Sequence, residues 1–145
     1  MLDLIIKNGE CYIDGKITKT NIGIRNGKIS IIGDLNNEQS KETVDASNLL
    51  VLPGCMDTQV HFREPGSTNA EDLHTGSKAA IAGGITSVFE MPNTNPPTAN
   101  MKEFNNKLNL AKNRMYSNYA FYFGATPDNS TCLLYTSDAA DDDRG

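Results

Sequence analysis

The sequence predicts an α/β fold in which parallel strand–helix units follow a small antiparallel β segment. Two observations lead there. Before residue 50, short apolar segments are separated by Asn-Gly and Asp-Gly, dipeptides that supply the positive φ of tight hairpin turns. After residue 50, β-branched and aromatic runs alternate with amphipathic segments of helical period. Strand, helix and strand in alternation, joined by short connections, imply right-handed crossovers on a parallel sheet.

Residues 1–50 contain "LDLIIKNG", "CYIDGKI", "NIGIRNGKISIIGD" and "ETVDA", read as strands of a small antiparallel sheet. So few strands bury little area, so this segment is incomplete by itself. "NLLVLPGCMDTQVHF" then has the near-continuous apolar run of a parallel strand buried on both faces. Thr68 and Glu71 have the spacing of a capping box. The stretch "AEDLHTGSKAAIA" follows as a helix with Leu73, Ala79, Ala80 and Ile81 toward one side, and Gly83-Gly84 ends it. "ITSVFEM" (85–91) is the next strand, and "PNTNPPT" is a rigid loop because proline cannot donate to a ladder. Asn100 and Glu103 mark a second cap before the amphipathic helix "MKEFNNKLNLAKNRM", and "NYAFYFGA" is a third strand. Residues 51–131 are therefore the βα region, and both an open doubly wound sheet and a (β/α)8 barrel fit it.

Composition narrows the function classes. The 145 residues are 38% hydrophobic and 21% charged, the makeup of a soluble globular chain with a modest core. A net charge of −5, with Lys and Arg scattered rather than clustered, argues against a nucleic-acid surface. The opening "MLDLIIKNGE" has too short an apolar run and no basic region for a signal peptide or membrane span, so a cytoplasmic location is expected. Cys11, Cys55 and Cys132 form no C-x-x-C pair and are expected to be reduced, structural thiols. Residues 132–145, "CLLYTSDAADDDRG", lack apolar periodicity. They resemble a translated transposon adapter from shotgun sequencing, which would make residues 1–131 the front of a longer protein.

The stretch "DTQVHFREPG" (57–66) carries the chemistry. On a regular strand Asp57, Gln59, His61 and Arg63 share one face while Val60 and Phe62 take the other. Polar side chains at the C-terminal end of a parallel strand belong in a barrel mouth. Taken together, "LPGCMDTQVHFREPG", "AEDLHTGSKAAIAGGITSVFEMPNTNPPT" and "FYFGATPDN" resemble the class I dihydroorotases of the amidohydrolase superfamily, over nearly all of residues 1–131. Allantoinase and dihydropyrimidinase are relatives of that group.

The resemblance implies a (β/α)8 barrel of which this chain holds about the first three strands, with the N-terminal β segment in a side domain. It implies one or two zinc ions that activate water and polarise a ring amide, interconverting dihydroorotate and N-carbamoyl-aspartate in pyrimidine synthesis. His61 matches a metal-binding imidazole, Arg63 a residue that binds the substrate carboxylate, and Asn93 a second carboxylate contact. Gln59 stands where the family has another metal-binding histidine, and a carboxamide oxygen is a weaker zinc ligand than imidazole. The general base and remaining ligands are expected beyond residue 131. Arginine's planar fork suits a carboxylate, and Arg63 with Asn93 favours dihydroorotate over the substrates of dihydropyrimidinase. Gln59 also leaves open a non-catalytic subunit that supports aspartate carbamoyltransferase. The expected ligand is a small molecule, with neither nucleic acid nor membrane as partner, and a homo-oligomer is compatible. Asp57 reads as second shell or turn-stabilising, His74 as a solvated helix residue, and Asn95 as structural. The 145-residue chain alone is expected to be inactive and poorly behaved, because three barrel strands leave an open edge.

Overall fold

The computed structural model describes residues 1–130, so Cys132 and the segment 132–145 lie outside the described residues. The chain divides into two compact units, Met1–Pro53 and a second that begins at Gly54.

In the first unit, β1 (Leu2–Ile13) pairs antiparallel with β2 (Lys16–Arg25), and β2 with β3 (Lys28–Ile32). The two hairpin turns are the predicted ones. Asp14-Gly15 has φ of 49° and 78°, and Asn26-Gly27 has 53° and 70°, the paired positive values of a type I′ turn. The third such dipeptide, Asn8-Gly9, does not turn the chain. Asn8 has φ 62°, and the β1–β2 register shifts between Ile6 and Gly9, so the strand runs on through a bulge. The expectation of an all-antiparallel sheet fails at its last strand: β4 (Ser40–Asp45), the "ETVDA" segment, pairs with β1 in parallel, as does β5 (Leu50–Val51). Leu2, Ile5 and Leu35 form the core of this unit.

The second unit runs β6 (Cys55–Val60), α1 (Leu73–Ala82), β7 (Ile85–Glu90), α2 (Met101–Ala111), β8 (Asn118–Phe121). Its three strands are parallel in the order β6-β7-β8, as the alternation predicted. Phe62, Leu73, Val88, Ala111 and Phe121 form the buried core, with Val60, Ile85, Phe104 and Leu110 against it. Residues Cys55 to Gln59 are exposed rather than buried on both faces, because β6 has a single neighbour in the sheet. A shallow cavity of about 170 Å³, lined by Met56, Phe89 and Tyr119 among others, contains none of the predicted site residues.

Helix starts follow from side chains that satisfy the free N–H groups of the first turn. At α1 the cap is Asp72, not Thr68: its carboxylate accepts from Thr75 N at 2.7 Å, and Thr75 Oγ1 in turn accepts from Asp72 N at 3.3 Å. The pairing Asp-x-x-Thr competes with Thr-x-x-Glu and wins because it abuts the first buried residue, Leu73. At the other end Gly83 has an ordinary φ of −87°, and it is Gly84, at 87°, that needs glycine's freedom. The α2 cap is the predicted one, with Asn100 Oδ1 accepting from Glu103 N at 2.9 Å. Asn100→Ala is expected to lower stability by about 1 kcal/mol, read from the shift in urea midpoint.

Candidate functional site

The predicted site residues sit where β6 and β7 end. Between Asp57 and Val60 strand β6 carries one residue more than β7, since Asp57 lies opposite Val88 and Val60 opposite Glu90. The Asp57 carboxylate stabilises this irregularity by accepting from Gln59 N at 2.9 Å. Such a bulge changes where the following side chains point. The expectation that positions 57, 59, 61 and 63 line one regular strand face therefore fails: β6 stops at Val60, and Arg63 has φ 61° in the loop beyond. A left-handed conformation in a residue other than glycine costs energy, and such residues concentrate at ligand sites.

Two loops carry the residues, and backbone bonds tie them together. Met91 N donates to Val60 O at 3.0 Å, and Asn95 N donates to Pro65 O at 3.0 Å. Gly66, with φ 123°, lies against Asn95, where a Cβ would come within 3.0 Å of the asparagine. The second loop is also held from its far side, with Thr98 N donating to Pro92 O at 2.9 Å and Gly124 N to Thr98 O at 2.8 Å. Asn129 extends this support, its Nδ2 donating to Gly124 O at 2.7 Å and to Ala99 O at 2.8 Å. Asn95 is thus structural through its backbone.

Of the four predicted site residues, His61 and Asn93 meet. His61 Nδ1 lies 2.9 Å from Asn93 Oδ1. A carboxamide oxygen can only accept, so the imidazole donates from Nδ1, and it is in the neutral ring that Nε2 keeps a lone pair. Arg63 and Gln59 are exposed and make no side-chain hydrogen bond among the described residues.

Behind the loops lie one residue that the sequence reading set on the opposite face, Phe62, and two charged pairs that it missed. Phe62, between His61 and Arg63, turns into the core, and its ring packs on Gly76 of α1 so closely that a Cβ there would clash with it. Glu64 is buried: it accepts from Leu73 N at 2.9 Å and pairs with Arg114 at 2.8 and 3.2 Å. The Glu64 carboxylate is the main reason the Arg114 guanidinium is held charged more firmly than usual. Glu90 and Lys107 form a second pair, 1% and 0% exposed, with Nζ 2.6 Å from Oε2. The ammonium also reaches Met91 O at 3.4 Å and the Phe121 ring. Burial pushes the Glu90 carboxyl above the ordinary range, with Lys107 opposing. These partners are 17 and 50 residues apart, so no local pattern announces them.

His74 differs from its expectation. Instead of facing solvent it is half-buried, its Nδ1 3.2 Å from Arg114 O and its ring 5.1 Å from that of Tyr116. It is a packing residue.

Among the described residues no three His, Cys, Asp or Glu side chains are gathered to hold a metal. His61 nevertheless fits one position of such a site, because Nε2 is the nitrogen left free and the Nδ1–H is already satisfied. Gln59 fits poorly, as a neutral oxygen donor.

The model of the amidohydrolase family, whose members generally use metal ions, matches residues 50–139. A dihydroorotase of Methanosarcina acetivorans is 42% identical over 127 residues, 87% of this chain and 27% of that protein. An allantoinase of Desulfitobacterium hafniense strain Y51 is 39% identical over 128 residues, 88% of this chain and 28% of that protein. Among solved structures, an L-hydantoinase (dihydropyrimidinase) from Arthrobacter aurescens superposes with TM-score 0.85 at 32% identity, covering 96% of this chain and 31% of that one. The chain thus spans under a third of the length of the proteins it matches.

Proposed function

This chain belongs to the amidohydrolase family, and from that premise we propose that it is the opening portion of a zinc-dependent dihydroorotase acting in the cytoplasm. The observation that carries the reading is the His61–Asn93 pair at the ends of β6 and β7, with Arg63 displayed from the same loop. In the proposed reaction water adds to a ring amide carbonyl of dihydroorotate, the C–N bond breaks, and the nitrogen takes the proton, giving N-carbamoyl-aspartate. Zinc, when bound, supplies Lewis acidity toward that carbonyl. His61 would hold it through Nε2, the nitrogen that Asn93 leaves free, and Gln59 would contribute weakly or not at all. Arg63 binds the substrate carboxylate through its guanidinium fork, which its exposed, left-handed position leaves open to ligand. Asn93 has its oxygen occupied by His61, so its Nδ2–H2 is available to the same carboxylate. Similarity to the dihydroorotase of M. acetivorans supports this substrate. Similarity to allantoinases and hydantoinases marks the nearest alternatives.

The test is turnover and metal content of the complete gene product on dihydroorotate, allantoin and a dihydropyrimidine. Turnover of dihydroorotate is expected, and the 145-residue chain alone is expected to be inactive. Arg63→Ala should raise KM for dihydroorotate by roughly 10- to 100-fold, the value of hydrogen bonds to a charged group, with zinc content unchanged. Gln59 favours a second reading, a non-catalytic subunit that supports aspartate carbamoyltransferase. A metal-free, inert product that Gln59→His does not rescue would favour that reading instead.

A further inference from the structure

We infer that Asn93 is a positioning residue for His61: its side-chain oxygen fixes the neutral imidazole in the Nδ1–H form and so presents Nε2 as the donor atom. The inference deepens the proposed function and rests on its placing of His61 in the site, but its chemistry can be read without metal or substrate. An isolated neutral imidazole favours the opposite, Nε2–H form, which would hide the lone pair needed by a cation. The 2.9 Å contact reverses that preference, because the oxygen cannot donate and the ring nitrogen opposite must.

The acceptor itself is held in place. Asn93 lies between Met91, whose N–H is bound by Val60 O and whose carbonyl receives Lys107 Nζ, and Asn95, whose N–H is bound by Pro65 O. Its neighbour Pro92 receives Thr98 N through its carbonyl. Four contacts on three flanking residues leave the Asn93 backbone little freedom, so the side chain is aimed rather than merely adjacent. One amide therefore serves two ends: Oδ1 toward the ring and Nδ2 toward a carboxylate ligand.

Two variants separate these ends. Asn93→Ala removes both, whereas Asn93→Asp keeps an acceptor for His61 and replaces the donor with a negative charge that repels a carboxylate ligand. The measurement is the ¹⁵N signature of the His61 ring in the metal-free, ¹⁵N-histidine-labelled complete gene product at about pH 8.5, where an ordinary imidazole is neutral. The parent should show the Nδ1–H form. Asn93→Ala should shift the ratio toward Nε2–H by roughly 2- to 10-fold, the factor expected for one neutral hydrogen bond, with backbone spectra otherwise unchanged. Asn93→Asp should retain the Nδ1–H form. A parent ring already in the Nε2–H form, or an Asn93→Ala ring that keeps Nδ1–H, would overturn the inference. Neither result would touch the hydrolase assignment, which is decided by turnover. Conversely, an inert protein with the expected ring signatures would reject the assignment and leave the positioning role standing.

Discussion

Lys107→Met is expected to destabilise the chain by about 3–5 kcal/mol, the cost of removing one partner from a buried ion pair. The ammonium is fully buried and 2.6 Å from the Glu90 carboxylate, so its loss strands a charge under the β7–α2 loop. The effect carries a pH signature whose sign can be worked out. Burial already raises the Glu90 carboxyl, and without Lys107 it rises further. A carboxyl with a folded-state value above its unfolded one takes up a proton more readily when folded. Its stabilising effect is therefore full below the unfolded value and lost as pH rises through the folded one. Urea midpoints should accordingly show the variant recovering part of its deficit as pH falls from neutral toward about 5, relative to the parent. The double variant Glu90→Met, Lys107→Met should be far closer to the parent, because an apolar pair has no charge to desolvate. A pH-independent deficit would mean that lost packing, not charge, is responsible.

Phe62→Ala is expected to cost about 3–5 kcal/mol as well, for a different reason. The ring fills the space that Gly76 leaves on α1 and belongs to the core with Leu73, Val88, Ala111 and Phe121. Removing it opens a cavity between the helix and the end of β6, and the collapse displaces the segment that carries His61 and Arg63. Adding Gly76→Ala should restore part of the loss, since the ring that forbids a Cβ is gone and alanine favours helix by roughly 1 kcal/mol. Thermal melts of the two single variants and the double would show this as a non-additive cycle. Additive losses would show that the ring and the glycine do not share their space.

What the sequence revealed and what it hid divide along range. The type I′ turns at Asp14-Gly15 and Asn26-Gly27, the Asn100 cap and the strand–helix alternation were all legible, because each depends on residues within a few positions of one another. Asn8-Gly9 carries the same turn signal yet forms a bulge, because β2 and β4 pair with β1 on both sides and keep it extended. The α1 start was misplaced by competition between two local caps, decided by where burial begins at Leu73. At the site, the motif identified His61 and Asn93, and the structure joins them. The bulge after Asp57 and the left-handed Arg63 broke the simple alternation, and neither has a composition signal. The half-buried pair Glu64–Arg114 and the fully buried pair Glu90–Lys107 were invisible because they are tertiary contacts between residues that look, in sequence, like ordinary surface charges.

The bond from Asn95 N to Pro65 O, reinforced where Gly66 presses on Asn95, joins the loop after β6 to the loop after β7. Each loop is the template against which the other is cut. An insertion or deletion in one would pull the junction out of register unless matched in its counterpart. The natural unit of inheritance at this site is then the pair. A chimera that exchanges one loop alone between distant relatives should lose its shape, while one that exchanges both together should keep it.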